Sequence, residues 1–433
     1  MSEIYKDSCG AIDFDSVGFT PEEADRYLRV LLDASLDRSA ITEVVTVDIV
    51  KKIVLGFIQS YKGMRLEYNL QVEDNTNIVI VGDIHGNMQT LSRIIKDNSG
   101  RDPLYIFLGD YVDKNLRGVQ VMLTLMLLKQ TYIPNIFMLR GNHEHVDINK
   151  NLGQYGFLYD CIQYYGDSGE QVFNIISTVY DYLPISLILN KKFYLIHGGI
   201  PEDLVTFNAT VNKATPYHID NLAAYQALWN DPDVKYPDSN YDVTIFRDSR
   251  RGPGIKRFGR AVTAGFLQAK GCRCIIRGHQ FDRDEPIFVT PDYKVITVFS
   301  SCNYCGAHND AAYLIINTYL TSTRINTMYI KYGEDDSDDD DSDEIVMEEE
   351  EDNSRYDSLL REHNAMGQAE FGALITRTER AFTGTNGNTV IDDKRYDLML
   401  NINSLIWYDV APVVQDRPFF PSDGIKKMFM KGF

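Results

Sequence analysis

The sequence predicts an α/β fold, with an acidic linker and a C-terminal extension beyond it. Three observations point there. Short apolar runs at 77–82, 104–109, 135–140, 193–197, 273–278 and 294–300 read as buried strands, and stretches with helical spacing lie between them. Five of the runs end at Asp, Asn or His beside a glycine, as strand ends gathered at one edge of such a sheet would. Finally, 433 residues suffice for one large catalytic domain and an appendage. The predicted division is 1–70 as the helical part of the catalytic domain, 71–332 as its core, 333–354 as a disordered linker and 355–433 as a partly structured extension.

In chain order, Thr20-Pro21-Glu22-Glu23 reads as a helix start with proline in the first turn. Leu28, Val30, Leu31 and Leu32, then Val50, Ile53, Val54, Phe57 and Ile58, keep helical spacing. The β-branched run Ile78-Val79-Ile80-Val81 breaks into Gly82-Asp83-Ile84-His85-Gly86. Leu104–Leu108 leads to Gly109-Asp110-Tyr111-Val112-Asp113, and Met122–Lys129 reads as a buried helix. Ile136–Leu139 runs into Arg140-Gly141-Asn142-His143-Glu144, Phe193–Ile196 into His197-Gly198-Gly199, and Cys274–Ile276 into Arg277-Gly278-His279-Gln280. Cys272 and Cys274 are expected within one strand, as buried thiols sharing a face.

Charge is concentrated. The formal net charge is −19, but 334–352 holds fourteen acids and no base, so the remainder carries only about −5. That stretch is self-repelling and low in complexity, and Ser337 and Ser342 within it look like acidophilic kinase sites. The weakly charged body gives no reason to expect nucleic-acid binding. No apolar run approaches bilayer-spanning length, and Met1-Ser2-Glu3-Ile4-Tyr5-Lys6-Asp7 lacks the pattern of a secretory signal. Six cysteines without disulfide-framework spacing fit a reducing, cytoplasmic or nuclear compartment. Residues 355–382 are helix-like, and the aromatic Trp407, Tyr408, Phe419, Phe420, Phe429 and Phe433 could pack on the body or on a partner.

Asp83, His85, Asp110, Asn142, His197 and His279 are all nitrogen or oxygen ligands. Six are too many for one tetrahedral zinc but suit two ions sharing a carboxylate. Two ions about 3.5–4 Å apart hold a hydroxide and neutralise a phosphoryl group. His143 is placed to protonate the leaving oxygen, with Asp113 fixing its tautomer.

These motifs, with Leu228-Trp229-Asn230-Asp231-Pro232, Arg251-Gly252 and Ser300-Ser301-Cys302-Asn303-Tyr304-Cys305-Gly306, resemble the signature of the phosphoprotein phosphatases, the protein phosphatase 1/2A/calcineurin group. The resemblance covers roughly 20–330. It implies a calcineurin-like metallophosphoesterase β-sandwich flanked by helices, acting on phosphoserine and phosphothreonine of protein substrates through a hydroxide bridging two ions of manganese, iron or zinc. It further implies that Asp83, His85 and Asp110 hold one ion and Asp110, Asn142, His197 and His279 the other, with His143 and Asp113 as the acid pair. Arg251, Lys114, Asn142 and Tyr304 would meet the phosphate, and a regulatory subunit is a partner the family leaves room for.

Several positions depart from the pattern. Lys114-Asn115 replaces the family's Arg-Gly, losing a bidentate fork, and Arg117 is a candidate to compensate. Extra residues surround 151–155 and 252–254, leaving Arg250 as the rival to Arg251. The Tyr304 loop lacks the usual Ala-Pro and Glu. Two other readings stay open: a pseudophosphatase scaffold, and a metallophosphoesterase for small phosphates or nucleotides.

Overall fold

The computed structural model describes residues 18–73, 75–99, 101, 103–131, 135–318 and 323–333. Beyond Gly333 the expected linker and the whole extension lie outside them, as do Ser337 and Ser342. Helices α1 (Pro21–Leu32), α2 (Arg38–Val44) and α3 (Val47–Tyr61) come first. Thr20 and Glu23 cap α1 reciprocally, at 3.2 and 2.9 Å, as the sequence signalled. The helical N-terminal part is not helical to residue 70, however. Glu67–Leu70 forms strand β1, whose polar Glu67 and Asn69 conceal it from a hydrophobicity reading.

There follow β2 (Asn77–Val81), α4 (Met88–Asn98), β3 (Leu104–Phe107), α5 (Gly118–Thr131), β4 (Ile136–Met138), α6 (Val146–Asn151), α7 (Phe157–Tyr165) and α8 (Gly169–Ser177). Next come β5 (Ser186–Leu189), β6 (Phe193–Ile196), α9 (Leu204–Val211), α10 (Leu222–Trp229), β7 (Asp231–Pro232), β8 (Phe246–Asp248) and β9 (Lys256–Phe258). The last elements are α11 (Arg260–Lys270), β10 (Cys274–Arg277), β11 (Ile287–Val289), β12 (Val295–Val298), β13 (Ala311–Thr318) and β14 (Thr323–Ile330).

Two sheets stack face to face, in the orders β14-β13-β2-β3-β4 and β1-β5-β6-β10-β12-β11. Side chains alternate along each strand, so each sheet has two apolar faces to bury. Ile78 and Ile80 of β2 meet Leu195, Ile276 and Val298 between the sheets. Val79 and Val81 point the other way, into α1, α3, α5, α7 and α8. On the opposite outer face, Tyr194, Ile196 and Ile275 pack under α9, α10 and α11. Helix α5 is buried from Gly118 to Leu128, which explains its all-round apolar sequence. Cys272 and Cys274 are both buried, but not on one face. Strand β10 starts only at Cys274, because Cys272 closes the end of α11 through its amide to Leu267 at 2.9 Å, and the two thiols enter different apolar clusters.

Within the first sheet β2, β3 and β4 run parallel; within the second β6, β10 and β12 do. Their C-terminal ends meet where Asp83 bridges to Phe299. Gly82 permits this approach, since a Cβ there would collide with the Val298 carbonyl. Its amide is instead held by Ser300 Oγ at 2.8 Å.

Candidate active site

The loops leaving β2, β3, β4, β6 and β10 bring Asp83, His85, Asp110, Asn142, His197 and His279 together, all nearly or fully buried. Their backbone explains how. His85, Asp110 and His279 adopt positive φ of 47°, 56° and 71°, turning each chain sharply past its strand. Glu144 clamps two of these loops: its carboxylate accepts the amides of Asp110, Tyr111 and Gly141 at 2.8–2.9 Å. Burial pushes its pKa up to about 7, and the nearby Asp110 charge adds to that. Gly141 is required at this crossing, because a Cβ would strike Asp110.

Each ligand-type imidazole has one nitrogen tied to a main-chain carbonyl. His85 Nδ1 donates to Val112 at 2.9 Å, His197 Nδ1 to Leu108 at 3.1 Å and His279 Nε2 to Trp229 at 3.2 Å. That fixes the tautomers and leaves the other nitrogen of each ring facing inward. Asp110 Oδ2 sits between two of them, 3.5 Å from His85 Nε2 and 3.4 Å from His197 Nε2. Around His197 Nε2 also gather Asn142 Oδ1 at 2.8 Å and His279 Nδ1 at 3.2 Å. Asp83 Oδ2 lies 3.8 Å from His85 Nε2, while its Oδ1 accepts the His279 amide at 2.8 Å.

Inward lone pairs this dense repel one another unless a cation stands among them. Among the described residues two groups satisfy ligand spacing: His85, Asp110 and His143, and Asp110, His197 and His279. The donor set therefore fits metal ions, with Asp110 common to both groups. Burial drives the His85 pKa down to about 3 and that of His279 well below its ordinary value, so both present neutral rings. Burial raises Asp83 to about 6. For Asp110 burial acts upward too, but the imidazoles of His197, His143 and His85 outweigh it and hold its pKa low.

His143 follows Asn142 and stands edge-on to His85, with ring centroids 4.8 Å apart. Its Nδ1 is 2.6 Å from Asp113 Oδ2. Asp113 is fixed in turn by Asn149 Nδ2 at 2.8 Å and the Phe157 amide at 2.6 Å. Burial opposes a charged His143, yet Asp110 and Asp113 prevail and raise its pKa.

Arg251, rather than Arg250, reaches the centre. Its Nη2 meets the His279 carbonyl at 3.2 Å and its Nε the Asp231 carboxylate at 2.6 Å. The residues at 252–254 form the tip of the β8–β9 hairpin that carries it. Asp231 and Arg277, quoted from the sequence without a role, are thus positioning residues: Asp231 Oδ1 pairs with the fully buried Arg277 at 2.8 Å. Glu144 is a third. Their signal was residue type alone, a charge placed where the chain must be buried. Lys114 lies near enough for its charge to act on both His85 and His143, and its amide is held by the Tyr155 carbonyl at 2.7 Å, from the extra residues. Arg117 does not compensate for it, being turned to the Leu36 carbonyl and Gln120. Tyr304 covers the site, its ring 5.2 Å from His85 and 5.1 Å from Phe299.

Residues 76–282 match the family model of calcineurin-like phosphoesterases. Over 253 residues the chain is 33% identical to a protein phosphatase 2A catalytic subunit of Dictyostelium discoideum, covering 58% of this chain and 76% of that one. This chain belongs to the phosphoprotein phosphatase family. A "Probable serine/threonine-protein phosphatase" of Encephalitozoon cuniculi is 32% identical over 250 residues, 57% of this chain and 52% of the relative, so the chain spans about half of that protein. A solved serine/threonine phosphatase of Saccharomyces cerevisiae with similarity to human PP5 shares the fold, with a TM-score of 0.56 at 23% identity over 68% of this chain and 96% of the other. The expected calcineurin-like phosphatase fold is thus borne out. Among the described residues no helix is long and apolar enough to cross a membrane.

Proposed function

We propose that this phosphatase hydrolyses phosphoserine and phosphothreonine in proteins by direct attack of water, without a covalent intermediate. Asp83, His85 and Asp110 would hold one metal ion and Asp110, Asn142, His197 and His279 a second. Manganese, iron and zinc all accept such donors. When bound, the ions supply an activated water and positive charge facing the phosphoryl oxygens. Arg251 and Lys114 orient the phosphate, beside Asn142 and beneath Tyr304. As the bond from phosphorus to the serine or threonine oxygen breaks, His143 delivers its Nε2 proton to that oxygen, and Asp113 holds the ring through Nδ1. The observation that carries this reading is Asp110 Oδ2 lying 3.5 and 3.4 Å from two inward imidazole nitrogens.

The test joins metal analysis with turnover of a phosphopeptide. Native protein is expected to bind two transition-metal ions. His143→Gln keeps the ions but loses roughly 10²–10⁴-fold in turnover, whereas Asp110→Asn loses both. Native-like rates in either variant overturn the mechanism. Bound ions without hydrolysis even of an aryl phosphate would leave a scaffold, and preference for a dinucleoside polyphosphate would make it a small-molecule esterase.

A further inference from the structure

Next to the loops of His85 and Lys114 lies a cavity of about 330 Å³, whose lining includes Gly86, Asn115, Arg38, Arg117, Cys302 and Asn303. No carboxylate of the described residues lines it. Arg38 gives Nη2 to the Leu116 carbonyl at 3.0 Å and lies over the Tyr164 ring, but its Nε is buried with no partner. Arg117 places Nη1 on the Leu36 carbonyl at 3.2 Å and Gln120 Oε1 at 2.6 Å. Nδ2 of Asn115 is buried and unpartnered too. Among the described residues neither arginine pairs with a carboxylate. The buried carboxyl that feels both charges, Asp160, faces the Val119 amide and stays outside the lining.

Two guanidinium groups in a lining without a carboxylate give the cavity a positive character, and an oxyanion complements it best. The chain carries such groups close by. Cys302 Sγ lies 4.0 Å from the Ile330 carbonyl, Tyr332 stacks on His308 with ring centroids 4.9 Å apart, and the Tyr332 amide meets Asp310 Oδ1 at 2.9 Å. Strand β14 therefore ends against the same loop that lines the cavity. Beyond Gly333, nine of the next eleven residues are acids. Extended chain covers about 3.3 Å per residue, so these carboxylates are within reach.

We propose that this cavity is an oxyanion site and that in the intact chain it holds carboxylates of the chain's own 334–352 run.

The test uses the full chain and a fluorescent synthetic peptide of residues 334–352, followed by anisotropy. In a variant with all fourteen acids of 334–352 changed to Asn or Gln, the cavity is freed. The peptide is expected to bind this variant at least tenfold more tightly than it binds native protein. Adding Arg38→Gln and Arg117→Gln should abolish that binding, and Arg38→Lys with Arg117→Lys should restore much of it. Cleavage of an aryl phosphate is expected to stay unchanged throughout, showing that each variant is folded. Binding that ignores the arginines overturns the site. Arginine-dependent binding of equal strength to native and freed chains overturns the proposed occupant, because the cavity would then stand open to an external acidic segment.

Discussion

The two sheets deliver their shares of the active site by different means. The ends of β2, β3 and β4 provide Asp83, His85, Asp110, Asp113, Asn142 and His143, and the loops that carry Asp110 and Asn142 are fastened chiefly through backbone. Glu144 gathers three amides there, and the Asp110 carbonyl receives the Ile84 and His85 amides at 3.0 and 2.9 Å. The ends of β6 and β10 provide His197, Arg277 and His279, and a side-chain ion network organises them. Arg277 contacts the Gly198 carbonyl, Gln280 and Asp231, and Asp231 passes the constraint on to Arg251. Loss of any one amide from the clamp removes a single hydrogen bond. In a buried ion network, removing one charge strands another.

The largest expected effect therefore lies on the second sheet. Asp231→Asn leaves the fully buried Arg277 without its counter-charge and frees Arg251, whose Nε it holds at 2.6 Å. Breaking such a buried pair costs about 3–5 kcal/mol. Urea unfolding should show that loss, and the Michaelis constant for phosphopeptide should rise as Arg251 loses its anchor. A variant as stable as native protein would remove the distinction between the sheets.

The same distinction explains how much was legible in the sequence. Strands β2, β3, β4, β6, β10 and β12 announce themselves as apolar runs because both of their faces are buried. The proposed ligands were legible because each sits at or just past an abrupt end of such a run. Strands β1, β7, β8 and β9 escaped notice, being short and carrying polar residues such as Glu67, Asn69, Arg247 and Lys256. Strands β13 and β14 were missed for a different reason: they carry none of the glycine-flanked Asp, Asn or His that marks five of the six legible runs. The roles of Glu144, Asp231 and Arg277 depend on which carboxylate meets which donor after folding, and linear spacing holds no record of that. Lys114 could be recognised as a departure, whereas Arg117 could not be read as turned away until Leu36 and Gln120 were placed beside it.

A second prediction probes the first sheet's support through pH. Asp160 of α7 sits at the start of α5 and accepts the Val119 amide at 3.0 Å, and burial pushes its pKa up to about 7. Arg38 and Arg117 pull the other way, and Cys161 and Tyr164 are the remaining titratable neighbours. The folded value lies above the unfolded one, near 4. Its stabilising contribution is thus complete below about pH 4 and is lost as pH rises through about 7. Asp160→Asn removes that dependence. Relative to native protein the variant should gain up to about 1.4 kcal/mol per pH unit between these limits, read from urea midpoints. A constant difference from pH 5 to 7.5 would show that Asp160 does not titrate in this window.

The smallest effect is the most local. Lys114 stands where the family's pattern has arginine, and its ammonium is a point charge where a guanidinium would meet two phosphate oxygens at once. Its backbone, at φ 70° and fastened to the Tyr155 carbonyl, would carry either side chain equally well. Lys114→Arg should therefore lower the Michaelis constant for phosphopeptide several-fold, roughly the 1 kcal/mol by which a charge-assisted fork exceeds a single contact. Turnover should change little, because His143, the proposed proton donor, and its partner Asp113 are untouched. An unchanged Michaelis constant would mean that Arg251 alone sets the grip on phosphate, and that the second sheet, not the first, governs substrate binding.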